Sequence, residues 1–124
     1  MLRPILAEDR MHPAVRDKIA KNQRALLDEV INAVEAHDVV IVGMAQNPFP
    51  KKAKKALDAI SVAYHYMEYG SYLSQWRARN VLKMWTGWPT FPMIFVKGTF
   101  IGGFSDLSAL IADKALQPLL DAPR

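Results

Sequence analysis

The chain contains no cysteine. That absence alone removes disulfides, zinc–thiolate sites and cysteine nucleophiles from the functions open to it. Histidine is scarce. His12, His37 and His65 are the only three; their spacing fits no metal-ligand pattern, and no acidic residue is placed to complete a triad, so no metal site is expected. Long hydrophobic runs are missing too: the longest, Val39 to Ala45, is far short of the roughly 20 residues a membrane-spanning helix needs. Arg3, Glu8, Asp9 and Arg10 interrupt any apolar core of a signal peptide. The expectation is a cytoplasmic protein without membrane association. A strong charge of one sign is also absent, the net being a moderate +4. Its basic residues lack interleaved base-stacking aromatics, which argues against nucleic acid and leaves acidic partners open.

What is present fits one compact unit of 124 residues, 51% of them hydrophobic. Val15, Ile19, Leu26, Val30 and Val34 recur at helical intervals and predict one amphipathic helix behind Pro13. With the residues before it, this helix forms an N-terminal extension, residues 1–37. Val39–Val42 is a β-branched apolar run suited to a strand buried on both faces. Asn47-Pro48 marks a helix start, continued by Lys51 to Ile60, and Ala63 to Tyr66 is the next strand. Ser71 to Met84 reads as a second long helix, stopped by Gly87, Pro89 and Pro92. Met93–Val96 and Thr99–Ile101 form a hairpin across Lys97-Gly98. A helix follows from near Ser105, and a short one lies around Pro118. The order predicts an α/β fold with a four-stranded mixed sheet: a parallel first pair, an antiparallel closing hairpin and flanking helices.

Trp88-Pro89-Thr90-Phe91-Pro92, followed by Ile94-Phe95-Val96-Lys97-Gly98 and Ile101-Gly102-Gly103, resembles the glutaredoxin family and its thioredoxin-like fold, closest to the monothiol branch. The resemblance covers about Val39 to Leu120 and assigns residues 38–124 to a glutaredoxin-like domain, with the N-terminal helix as an addition. It implies a cis peptide at Pro92, backbone groups of Phe91 offered to glutathione, and a γ-glutamyl carboxylate received near Gly103, Ser105 and Asp106. Arg79, Leu82 and Lys83 stand where the monothiol pattern has Arg, Leu and Lys, so the resemblance implies Arg79 and Lys83 as partners of the glycyl carboxylate. The active-site tetrapeptide departs from the pattern. Where the family has Cys-Gly-Phe-Ser or Cys-Pro-Tyr-Cys, this chain reads Asn47-Pro48-Phe49-Pro50. Met44 replaces the usual lysine upstream, and Phe104 stands where a small or polar residue is common.

The residues carry their own physical readings. Asn47 at a helix N-terminus keeps the location of the family's thiolate but not its chemistry. It predicts an N-cap worth about 1 kcal/mol, and it provides no thiolate for a mixed disulfide or an iron–sulfur cluster. Pro50 removes a backbone donor where none is needed and excludes a resolving thiol. Lys51, Lys52, Lys54 and Lys55 oppose the helix dipole; they are either a solvated face or a surface for a carboxylate, phosphate or acidic partner. Ser105 and Asp106 read as helix caps as well as ligand contacts. Arg79 and Lys83, four apart, share a helix face that either holds a carboxylate or is solvated. The tryptophans and Tyr64, Tyr66, Tyr69 and Tyr72 are expected mostly in the core or at its margin.

Three functions follow as expectations. The first is a binding module for glutathione or a γ-glutamyl or acidic peptide, without thiol turnover and without an iron–sulfur cluster. The second is a disulfide oxidoreductase in which bound glutathione supplies the only thiol. The third is a protein-interaction scaffold with no small ligand.

Overall fold

The computed structural model describes residues 1–124. After a single 3₁₀ turn at Glu8–Arg10, the elements run α1 (Pro13–Lys21), α2 (Arg24–Ala36), β1 (Val39–Gly43), α3 (Pro48–Ala59), β2 (His65–Glu68), α4 (Trp76–Thr86), β3 (Met93–Val96), β4 (Thr99–Gly102), α5 (Phe104–Ala112) and α6 (Leu116–Asp121). The strands form one mixed sheet in the order β2-β1-β3-β4. β1 is parallel to β2, with Val40 opposite His65, and antiparallel to β3, with Ile41 opposite Ile94. β3 and β4 close as an antiparallel hairpin.

The two central strands are apolar throughout because both of their faces are covered. Side chains alternate across a strand, so Val40, Val42, Met93 and Phe95 pack with Val30, Val34 and Leu82 from α2 and α4. Val39, Ile41, Ile94 and Val96 pack on the other side with Ala53, Leu57, Leu107 and Leu116 from α3, α5 and α6. Gly43 ends β1 at a close approach: a Cβ there would lie 2.9 Å from the Cβ of Pro50. Pro50, fully buried, is thereby drawn against the strand end, which fixes the start of α3 over the sheet.

Five expectations need correction. The single helix from Val15 to Val34 is two helices, broken at Gln23, whose φ of 51° lies in the left-handed region. Val15 and Ile19, expected on a buried stripe, are exposed. The strand expected at Ala63 to Tyr66 lies two residues later, at His65–Glu68. α4 begins at Trp76 instead of Ser71, because Ser71 and Ser74 tie their own segment into a turn: Ser71 N–H donates to Ser74 Oγ at 3.0 Å. Tyr72 and Trp76, expected in the core or at its margin, sit on the surface beside that turn.

Candidate functional site

The N-termini of α3 and α5 open onto one cleft of about 370 Å³, walled by the Trp88-to-Pro92 segment. Helix N-termini carry unpaired N–H groups and partial positive charge, so two of them converging favour an anionic occupant. Asn47 caps α3, its Oδ1 accepting from the Phe49 N–H at 2.9 Å. Its Nδ2 donates to the Phe91 carbonyl at 3.1 Å. Both ends of the amide are thus committed, one to the helix and one to the opposite wall.

The Phe91–Pro92 peptide is cis. Phe91 itself is buried; its carbonyl is taken by Asn47, whereas its N–H has no acceptor within the chain. On the far wall Gly103 caps α5, and its N–H donates to Asp106 Oδ2 at 2.9 Å. Gly102 has φ +101°, and a Cβ there would run into the Asp106 carboxylate. The turn that aims α5 at the cleft therefore requires glycine at that position. Ser105 and Phe104 line the cleft, and Phe104 leans on Phe49 with ring centroids 6.1 Å apart. Trp88 lies alongside, its buried indole N–H without a partner.

Sequence reasoning placed Asn47, Phe91, Pro92, Gly103, Ser105 and Asp106 together, and all six line this cleft. Arg79 and Lys83 do not. Arg79 is buried, and its Nη1 donates to the Tyr69 carbonyl at 2.9 Å and to the Ser74 carbonyl. Its guanidinium pins the β2–α4 connection. Lys83 is half-buried, and its Nζ lies 6.0 Å from the Phe91 ring centre, behind the cleft wall.

The α3 lysines also divide. Lys51 and Lys54 border a second cavity on the other side of the Asn47 loop, together with Tyr66 and Glu68. The Nζ of Lys54 lies 4.0 Å from the centre of the Tyr66 ring, and that of Lys52 lies 4.8 Å from the centre of Phe49. Lys55 is exposed on the helix. None of the four forms an ion pair. Trp88, Tyr72 and Thr90 also line the cleft; the sequence placed Trp88 and Thr90 within their motif and Trp88 and Tyr72 in the core or at its margin, and marked none of the three as a ligand contact.

Three phenols are pushed above the usual tyrosine range, Tyr64 by desolvation first and then by the charge and hydrogen bond of Asp58. Burial pushes the Tyr66 hydroxyl well above its usual range, helped by its 2.9 Å hydrogen bond to Glu68 and that residue's charge. Tyr69 is raised in the same way, by burial first and then by its bond to Glu29.

No three His, Asp or Glu side chains gather as a metal-binding group. The iron–sulfur cluster associated with monothiol glutaredoxins does not fit the donors at this site, because the thiolate position is an amide with both ends occupied. No helix is long and apolar enough to cross a membrane.

Residues 39–101 match the glutaredoxin family profile. A glutaredoxin-like protein of Dictyostelium discoideum is 47% identical over 81 residues, covering 65% of this chain and 66% of its own length. A chloroplastic glutaredoxin of Oryza sativa subsp. japonica is 31% identical over 94 residues, 76% of this chain and 71% of that protein. A monothiol glutaredoxin of Schizosaccharomyces pombe is 30% identical over 100 residues, which span 77% of this chain but only 40% of the relative. Among solved structures, oxidized glutaredoxin 2 from Chlamydomonas reinhardtii superposes with a TM-score of 0.69 at 27% identity, over 80% of this chain and 94% of that one. The buckwheat glutaredoxin–glutathione complex superposes with a TM-score of 0.70 at 22% identity, over 81% and 91%, a likeness of fold. With its four-stranded mixed sheet, its cis-proline wall and this family match, the chain belongs to the glutaredoxin family, of which it is a cysteine-free member.

Proposed function

We propose that this chain is a thiol-free binding module that holds glutathione, or a γ-glutamyl or acidic peptide, in the cleft between α3 and α5 without thiol turnover. One observation carries the reading: at the head of α3, where the family's nucleophile resides, Asn47 uses both of its side-chain atoms to hold the cleft together. The amide preserves the scaffold of the site and removes its leaving-group chemistry, since a glutathionyl group has no protein sulfur to move to. The open N–H of Phe91 and the two helix N-termini supply what a γ-glutamyl peptide needs: a strand-like donor beside the cis-proline and a positive field for a carboxylate. Binding of glutathione by a protein of the same fold supports the ligand class.

Exposed apolar residues in and beside the β2–α4 connection, which reaches the cleft at Tyr72, favour a longer peptide over the free tripeptide. Leu73 is 90% exposed, with Tyr72 and Trp76 beside it, and such side chains gain from covering by a ligand that runs past the cleft.

Calorimetric titration with glutathione and with its S-methyl analogue tests the proposal. Saturable binding to both is expected at millimolar concentrations or below. Ser105→Ala, which removes a hydroxyl lining the cleft, should weaken it by about 0.5–1.5 kcal/mol. Glutathione:disulfide exchange in the same samples should run at the protein-free rate. Absence of binding at millimolar ligand, or turnover above the blank, overturns the reading.

A further inference from the structure

Gly102 and Gly103 are adjacent, yet only the first is required by the backbone. Gly102 has a positive φ, whereas Gly103 has φ −103° and ψ −160°, an extended conformation open to any residue. A Cβ at Gly103 would also meet nothing closer than 3.5 Å, an ordinary van der Waals contact. The fold therefore tolerates alanine there. What the bare α-carbon provides is space: the Cβ position lies 3.5 Å from the Pro92 carbonyl oxygen and 3.6 Å from Trp88 Nε1, and all three residues line the cleft between α3 and α5.

Trp88 Nε1 is the one buried side-chain nitrogen or oxygen that has no hydrogen-bond partner in the chain. An indole N–H only donates, and a buried donor left unpaired is costly. The ring is held where it is. The Trp88 backbone N–H donates to Thr86 Oγ1 at 3.1 Å, and the indole packs edge-on against Phe100 with ring centroids 5.5 Å apart. Across the same space the carbonyl of buried Pro92 accepts no backbone hydrogen bond. A donor and an acceptor thus flank one opening beside the N-terminus of α5, whose field favours a carboxylate. The nearby Asp106 carboxylate is already engaged by the Gly103 N–H.

A group that answers this pattern carries an acceptor and a donor side by side, as the carboxylate and ammonium on the α-carbon of a γ-glutamyl residue do. We propose that Trp88 reads this end of the ligand: its indole N–H donates to the α-carboxylate, the Pro92 carbonyl accepts from the adjoining ammonium, and Gly103 leaves its β-position open so that the group reaches both. The inference rests on the reading of the cleft as a glutathione, γ-glutamyl or acidic-peptide site, and it narrows that reading. An acidic peptide joined through its α-groups has side-chain carboxylates but no carboxylate and ammonium on one carbon, so it should bind less well.

NMR titration of the chain with S-methyl glutathione, following the indole N–H signals, tests this. The Trp88 signal, identified by its loss in Trp88→Phe, should move downfield while that of Trp85 stays in place. Trp88→Phe keeps a ring against Phe100 and should weaken binding at least about tenfold, as loss of a hydrogen bond to a charged group does. Gly103→Ala should unfold in urea at the wild-type midpoint yet bind at least about tenfold more weakly, and N-acetylation of the ligand should have a similar effect. Trp85→Phe should bind as the wild type does. If S-methyl glutathione shifts the Phe91 and Ser105 amides but leaves the Trp88 indole unmoved, and Trp88→Phe binds normally, the role of Trp88 is overturned while the cleft remains a ligand site. No binding to the unmodified chain overturns both.

Discussion

Replacing Asn47 with alanine removes two separable interactions, and their sum is large enough to measure. The first is the cap on the Phe49 N–H at 2.9 Å, whose loss costs about 1 kcal/mol within a range of roughly 0.5–2. The second is the 3.1 Å donation to the Phe91 carbonyl, a partly buried neutral hydrogen bond worth about 0.5–1.5 kcal/mol net. α3 is anchored by the fully buried Ala53 and Leu57, so weakening its first turn is felt by the whole cooperative unit. The alanine variant should therefore lose about 2 kcal/mol in urea unfolding, with an unchanged m-value. Asn47→Ser divides the sum: its hydroxyl still caps the helix but does not reach the opposite wall, so its loss should be about 1 kcal/mol. A loss below about 0.5 kcal/mol for alanine, or equal losses for serine and alanine, would refute the assignment of Asn47 as both cap and cross-link.

Three further outcomes follow. Asn47→Cys places a thiol at the head of α3, where the dipole and neighbouring cations should lower its pKa below the usual value of about 8.5. Its thiolate should take the glutathionyl group from a mixed disulfide, releasing the other thiol, faster than an exposed control such as Ala25→Cys; equal rates would mean that the cleft no longer orients glutathione. Arg79→Ala strands the carbonyls of Tyr69 and Ser74 and should cost about 1.5–3 kcal/mol in urea unfolding; unchanged stability with weakened ligand binding would instead make Arg79 a ligand contact. Tyr66 and Tyr69 hold their protons above the usual tyrosine range in the folded state, whereas an unfolded tyrosine ionises near pH 10. Above about pH 10 the folded chain therefore binds more protons than the unfolded one, and stability falls as pH rises. The Tyr66→Phe, Tyr69→Phe double variant should show a shallower decline, and an equal slope would contradict the attribution.

The parts of the fold that could be read in advance are those where one physical signal acts alone. β1 and β3 are apolar at every position because both sheet faces are covered, and Asn47-Pro48 announces its helix because cap and first-turn proline coincide. β2 was displaced by two residues because it is an edge strand: of His65–Glu68 only Met67 is buried, so an apolar run is a poor guide to its limits. The break between α1 and α2 falls on Gln23, which adopts a left-handed conformation that favours glycine or asparagine; the asparagine stands one residue earlier, at Asn22, the C-cap of α1. Arg79 was misplaced for a related reason. A helix-face argument treats a charged side chain as solvated or ligand-bound, and only the folded β2–α4 connection supplies the two carbonyls that bury it. The cleft itself was legible because its walls are backbone features that proline and glycine mark, at Pro92 and Gly103.

Residue-resolved NMR titration of the unmodified chain with S-methyl glutathione tests the central claim most directly, because the analogue offers the γ-glutamyl peptide without a reactive thiol. The account predicts saturable shifts at the amides of Phe49, Phe91, Gly103, Phe104 and Ser105, with the Phe91 N–H moving downfield as it gains an acceptor. No response at millimolar ligand, or shifts confined to residues outside the cleft, would contradict it.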